Sequence, residues 1–315
     1  MVLMHIINTL APVFLIIALG AALKRGNFLS EDFAKGINRL AYWVGLPCLL
    51  FYKVTGAEYD FSAAGMTFLV VAASTVSCAI AGYIVSYFMK VPASSCGTFV
   101  QGALRGNLAY VGLAIIISSL SGAEAAFASR VESIAVLVVA LTVPVYNFLS
   151  VIVLLLSRHE LNRGIFLRVV RGILTNPLII ACVSGIVYSL FFDSMAPALS
   201  RTFAGIGQMA LPLALIGIGT SLAKKKEAVD NFRPALGSSL IKVFLAPLTG
   251  FLFAKFAGLG AAEMSVVMIL LACPTAVASF VLTEEIGGDS PLSAKIVVVS
   301  SILSAISLAL AVGLF

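Results

Sequence analysis

Charge is what this chain has least of. Asp, Glu, Lys and Arg together make up 11% of its residues, less than half of the ~25% found in soluble domains. With 61% hydrophobic residues and a mean hydropathy of +1.10, too little polar surface remains to cover a water-exposed globule, and the chain belongs in a bilayer. Histidine is nearly missing: His5 stands at a membrane edge and His159 in a loop, while Asp32, Asp60, Asp193, Asp230 and Asp289 all fall in connections. Neither the buried Ser-His or Asp-Asp pair of an intramembrane protease nor the clustered ligands of a metal enzyme is present, so no enzyme activity, metal or cofactor is expected. Cys48, Cys78, Cys96, Cys182 and Cys273 have spacings that suit neither a metal site nor a disulfide framework, and they read as small packing residues. No Lys or Arg precedes the first apolar run, which excludes the positive start of a secretory signal.

What the chain does have is long apolar runs. A spanning helix takes about 20 residues. Ten candidates can be placed, at 5–23, 33–55, 62–88, 93–120, 126–157, 168–192, 197–223, 235–257, 262–286 and 292–315. The polar connections are short, as in Lys24 to Asp32, Thr55 to Asp60, Lys90 to Pro92, Ser157 to Arg168 and Lys224 to Pro234, so none holds a soluble domain. Of the 20 Lys and Arg residues, 14 lie in odd-numbered connections, including Arg158, Arg163, Arg168, Arg171, Lys224, Lys225 and Lys226. The positive-inside rule puts those connections in the cytoplasm and both termini outside a cell membrane. The net charge of +6 then reflects loops beside anionic headgroups and calls for no nucleic acid.

Helix breakers recur 165 positions apart: Pro12, Gly20 and Pro47 meet Pro177, Gly185 and Pro212. Proline removes a backbone donor, so matched breakers in two hydrophobic halves suggest a duplicated bundle with interrupted segments. Each half holds five helices, an odd number, so the halves enter the membrane with opposite polarity. The expected fold is an all-α membrane protein of ten transmembrane helices in two inverted repeats, residues 1–157 and 158–315.

The chemistry points to the fourth and ninth segments. In Gly102-Ala103-Leu104-Arg105-Gly106-Asn107-Leu108-Ala109-Tyr110, Gly106 and Asn107 most readily leave helical dihedrals near the middle of the span. In Cys273-Pro274-Thr275-Ala276-Val277-Ala278-Ser279, Pro274 breaks the ladder, and Thr275 and Ser279 are expected to place hydroxyls at i and i+4 on one helix face. If both helices break and cross, two positive N-terminal ends meet at a point that favours an anion. The plain alternative is a pair of kinked helices with no ligand. Arg105 lies about 16 Å into the membrane by helical rise, too deep to reach an interface. It is expected either to bond freed backbone carbonyls or to stand near a substrate carboxylate. Lys242 and Arg130 are expected to snorkel to opposite surfaces. Tyr146 and Asn147 follow Pro144 in the next helix, and Asn147 joins the candidate site, while Asn8, Thr9, Asn176 and Gln208 read as interhelical glue. Glu132 reads as a surface group. A sodium site would rely on freed carbonyls with Asn107, Thr275 or Ser279, and proton coupling has no evident carrier.

The order of Leu46-Pro47-Cys48-Leu49-Leu50-Phe51, Gly106-Asn107, Thr175-Asn176-Pro177-Leu178-Ile179-Ile180-Ala181, Leu211-Pro212-Leu213-Ala214-Leu215-Ile216-Gly217 and Cys273-Pro274 resembles the auxin efflux carrier family of permeases over nearly the whole chain. The resemblance implies crossed helices four and nine. It also implies an elevator-like movement of helices 3–5 and 8–10 against a scaffold of helices 1, 2, 6 and 7, and a homodimer formed through that scaffold. Bacterial members look like carriers of organic anions such as malate or malonate; plant members export an indole carboxylate. Mapped onto this chain, Gly106, Asn107 and Pro274 form the crossing, with Asn107 the foremost substrate contact. Arg105, Tyr110, Asn147, Thr275 and Ser279 complete the expected substrate site. The minimal Ser157 to Arg168 connection departs from plant members and points to a compact prokaryotic type. The expected activity is secondary transport of a small mono- or dicarboxylate, with Na⁺ or H⁺ as possible coupling ion; a sensor or channel on the same fold is the alternative.

Overall fold

The computed structural model describes residues 2–55, 61–120, 122–157, 174–175, 177–192, 194–223 and 232–314. Arg158, His159, Arg163, Arg168, Arg171, Asn176, Lys224, Lys225 and Lys226, with Asp60, Asp193, Asp230 and the start of the expected sixth span, lie outside the described residues.

Every regular element among the described residues is a helix. In chain order these are α1 (Val2–Arg25), α2 (Glu31–Leu40), α3 (Leu46–Thr55), α4 (Phe61–Phe88), α5 (Ala93–Leu104), α6 (Leu113–Ser119) and α7 (Ala125–Leu156). They continue with α8 (Pro177–Phe191), α9 (Pro197–Leu222), α10 (Phe232–Leu240), α11 (Ala246–Phe256), α12 (Ala261–Ala272), α13 (Ala278–Ile286) and α14 (Ser290–Val312). Three π-helical turns interrupt them: Ala41–Gly45 joins α2 to α3, Leu108–Gly112 leads into α6, and Ile241–Leu245 joins α10 to α11. Six described helical runs are long and apolar enough to cross a membrane: Ile6–Arg25, Ser62–Phe88, Ala125–Leu156, Pro197–Thr220, Phe232–Phe256 and Ser290–Val312.

The prolines that define the sequence repeat do not all break helices. Pro12 and Pro212 lie inside α1 and α9, which continue through them. Two other prolines, Pro47 and Pro247, follow π turns by two residues, where the widened turn accommodates a missing N–H. Pro247 leaves the Val243 carbonyl without its helical donor, and the Ser307 hydroxyl of α14 fills that place. Ser74 of α4 likewise donates to the Ala246 carbonyl at 2.8 Å. Bonds of this kind are required where water cannot reach the backbone.

Packing divides the helices into two groups. In the first, α1 lies along α9, and α3 against α8 and α9. Small residues bring these backbones together: a Cβ on Gly20 would overlap the Ile216 carbonyl oxygen, and one on Gly45 would come 3.0 Å from Ala210 Cα. In the second, α4, α5, α7 and α10 to α14 surround a core that includes Phe99, Val100, Val138, Val139, Val266 and Leu270. The groups meet chiefly where α1 touches α6 and α14, where α7 touches α3 and α8, and where α9 touches the Leu108–Gly112 turn. All five cysteines are free thiols.

Candidate functional site

The expected fourth and ninth spans both break inside the second group. After α5, Arg105 is extended (φ −94°, ψ 104°) and Asn107 is also non-helical (φ −86°, ψ 65°). After α12, Cys273 is extended (φ −62°, ψ 148°), the conformation a following proline enforces on its neighbour. The two extended pieces pair antiparallel with Gly106 opposite Thr275. Asn107 N–H donates to the Pro274 carbonyl at 2.8 Å, and Ala276 N–H to the Arg105 carbonyl at 3.1 Å. Each break thus satisfies part of the backbone valence exposed by the other.

Side chains close several of the remaining carbonyls. Thr275 Oγ1 donates to Gly102 O at 2.8 Å, Lys242 Nζ to Leu271 O at 2.7 Å, and Cys273 Sγ to Ile269 O at 3.1 Å. The Thr275 N–H donates to Ser300 Oγ at 3.0 Å. Other backbone groups stay open. The N–H groups of Leu108, Ala109 and Tyr110, at the start of the run into α6, and of Val277 and Ala278, at the start of α13, find no acceptor among the described residues. By the same test the carbonyls of Ala103, Leu104, Gly106, Leu270, Ala272 and Cys273 find no donor among the described residues, so the paired breaks present open backbone groups of both signs.

Arg105 adds a full charge. It is only 8% exposed, its Nη2 donates to Asn147 Oδ1 at 2.7 Å, and its Nη1 is buried with no partner. The phenols of Tyr42 and Tyr146 share its surroundings. Tyr146 is buried and its hydroxyl accepts from Thr75 Oγ1 at 3.4 Å. Asn107 is buried beside Arg105 in the chain, and its side-chain amide has no hydrogen-bond partner among the described residues. Tyr110 stands partly buried on the π turn.

The sequence expectations meet this geometry unevenly. Arg105, Gly106, Asn107, Asn147, Pro274 and Thr275 come together at the paired breaks. Arg105 bonds the Asn147 side chain, and among the described residues it makes no hydrogen bond to a freed carbonyl. Thr275 and Ser279 do not share a helix face, because the chain is non-helical from Cys273 to Val277 and α13 begins only at Ala278. The donor of Thr275 is engaged by Gly102, whereas the Ser279 hydroxyl is buried and unpartnered. Lys242 does not snorkel: it is 0% exposed, drawn inward because the C-terminal end of α12 offers it the Leu271 carbonyl. Glu132 is partly buried in an ion pair with Lys53 at 2.8 Å.

Two residues escaped the sequence reading. Glu263, in the first turn of α12, is buried and pairs with Arg130 at 2.7 Å. Gln101 is fully buried one turn before Arg105, so helical spacing puts the two on one face. That spacing was the available signal for it. Among the described residues no group of three or more His, Cys, Asp or Glu could hold a metal ion.

No curated protein matches the chain at significant similarity. Comparison with protein families gives a full-length result: residues 5–312 match the family described as membrane transport protein, so the chain belongs to the auxin efflux carrier family and is a multi-pass membrane transport protein.

Proposed function

We propose that this protein is a secondary carrier for a small organic anion of the mono- or dicarboxylate class. One observation carries the reading. At the paired breaks a buried Arg105 has one guanidinium nitrogen open and no carboxylate partner among the described residues, with open backbone donors close by in the chain. A carboxylate supplies both the missing charge and the missing acceptors. Asn107 donates from its amide, Arg105 contributes charge, and the helix starts at Leu108 and Ala278 contribute their dipoles. Tyr110 and Ser279 complete the wall, while Gly106, Pro274 and Thr275 hold the crossing in shape.

The division of the helices into two groups supports an elevator-like cycle. In it the second group, with the crossing, slides against α1, α3, α8 and α9 as scaffold, and two inverted five-helix repeats, ten spans in all, exchange inward and outward shapes. The proposal includes a cell-membrane location with both termini outside, a homodimer through the scaffold, and Na⁺ or H⁺ as candidate coupling ions. It is tested by uptake of labelled mono- and dicarboxylates into proteoliposomes, with counterflow measured on the same preparation. Saturable uptake with counterflow, lost in Asn107→Ala and Arg105→Ala, is expected. Conductive flux without counterflow indicates a channel, binding without flux a sensor, and normal uptake by both variants removes the site assignment.

A further inference from the structure

The buried polar atoms that lack partners are not scattered. Among the side chains of the described residues they are Gln101 Nε2, Arg105 Nη1, Thr142 Oγ1, Ser150 Oγ and Ser279 Oγ, and they belong to only three helical elements: α5 with its C-cap, α7 and α13. Hydrogen bonds fix the register between these elements. Arg105 reaches Asn147 of α7, and Gln101 Oε1 accepts from Thr283 Oγ1 of α13 at 2.7 Å. Gly97 packs directly on Val153 and Leu154, so α5 and α7 run antiparallel and Ser150 stands between the Arg105 level and the Gly97 level. Thr283 lies one turn beyond Ser279 on α13, and its hydroxyl oxygen is also 2.8 Å from the Ser279 carbonyl. Ser150, Ser279, Gln101 and Arg105 therefore share one polar seam, which starts at the crossing and runs along α5.

The far end of the seam is latched. Ser95 Oγ donates to Asp289 Oδ2 at 2.6 Å, and the Asp289 N–H donates to Thr98 Oγ1 at 3.1 Å. Gly288 fits there against Thr283, Thr98 and Leu154, one residue from each side of the seam. Helix α13 is flanked by two places where the backbone can turn: the non-helical stretch Cys273 to Val277 before it, and Gly287 in the left-handed region (φ 77°) after it. Its outer side is exposed at Ala278, Val281 and Glu284, and its hydrogen bond to α5 is the polar one from Thr283.

Buried donors are nearly always satisfied by protein or ordered water, and leaving one open costs about 1–3 kcal/mol. A set of them on one seam, beneath a short helix with a turning point at each end, calls for water or another polar partner. We propose that the α5–α7–α13 seam is a water-binding path. When α13 swings away from α5, ordered water fills the seam and joins the crossing to the aqueous phase at the Asp289 end. The open hydroxyls of Ser150 and Ser279, the Gln101 amide and Arg105 Nη1 each take a water, and the Ser95–Asp289 bond holds the path shut.

Cysteine accessibility tests this independently of any substrate. In a full-length variant with its five native cysteines replaced by alanine or serine, Ser150→Cys, Ser279→Cys and the buried apolar control Val138→Cys are exposed in membranes to a small charged thiol reagent. Both seam positions are expected to react roughly tenfold or more faster than the control, and Asp289→Asn to raise their rates several-fold further, since opening is a local equilibrium. Seam rates equal to the Val138→Cys rate overturn the proposal. Should the cysteine-free chain not fold, amide exchange on the unmodified protein decides. Exchange in α13 roughly tenfold faster than in α12 is then expected, and equal protection overturns it.

Discussion

Arg105 Nη2 donates to Asn147 Oδ1 at 2.7 Å, and that bond ties the break after α5 to the second half of α7 while leaving the guanidinium without a carboxylate partner among the described residues. The pair allows a test in which shape is kept and charge is not. Asn147→Asp is nearly isosteric and turns the contact into a buried ion pair, cancelling the field that would attract an anion. The protein is expected to stay folded and monodisperse while carboxylate uptake falls by roughly ten- to a hundredfold, the equivalent of about 1.4–2.8 kcal/mol of lost binding. Uptake equal to the parent's would separate Arg105 from substrate binding.

Lys242 has a different part. Its Nζ meets the Leu271 carbonyl near the end of α12, and its stem packs against Gly106, so it braces both breaks at once. Lys242→Ala opens a cavity and strands a carbonyl, and should cost about 2–4 kcal/mol, read as a lower thermal midpoint in detergent. Lys242→Met keeps the volume and should recover part of that loss. Equal midpoints for alanine and parent would show that the bond carries no stability.

The contact of α1 with α9 makes a steric prediction. A side chain at Gly20 collides with the Ile216 backbone, which cannot move aside as a flexible side chain can, whereas nothing lies within 4 Å of a Cβ at Gly205 on α9. Gly20→Val should therefore destabilise by about 1–3 kcal/mol or more and reduce the monodisperse yield. Gly205→Ala should be neutral or stabilise by up to ~1 kcal/mol through helix propensity. A fluorescence-detected size-exclusion melt on both variants checks the pair, and equal behaviour would refute the close approach.

Asp289 caps α14, accepting from the Leu292 N–H at 2.9 Å as well as from Ser95. Asp289→Ala removes both bonds and is expected to cost about 1–2 kcal/mol. Ser95→Ala removes only the second and should cost less. The ordering of the two thermal midpoints is the measurement, and its reversal would show that the cap contributes nothing.

Much of the fold was legible because it rests on local pattern. The apolar runs at 62–88, 126–157 and 292–315 match α4, α7 and α14 closely, since about 20 predominantly apolar residues have few other stable states. Gly106-Asn107 and Cys273-Pro274 marked the breaks for the same reason: glycine tolerates non-helical backbone, and proline constrains the residue before it. Pro12 and Pro212 misled, because a proline inside a long packed helix can be absorbed where neighbouring turns stay intact. The three π turns left no readable mark, as their widened bonds depend on what packs beside them.

Composition and spacing were enough to assign an all-helical membrane protein with two interrupted segments, because hydropathy and backbone stiffness act over a few residues at a time. Which polar atoms those interruptions leave open was not decided locally. Thr275 became engaged by Gly102 while Ser279 stayed unpartnered, and Lys242 turned inward to Leu271 instead of out to the interface. Each outcome depends on a partner at least 29 positions away in the chain or on its absence, and buried hydrogen bonding is settled only when distant segments are brought into contact.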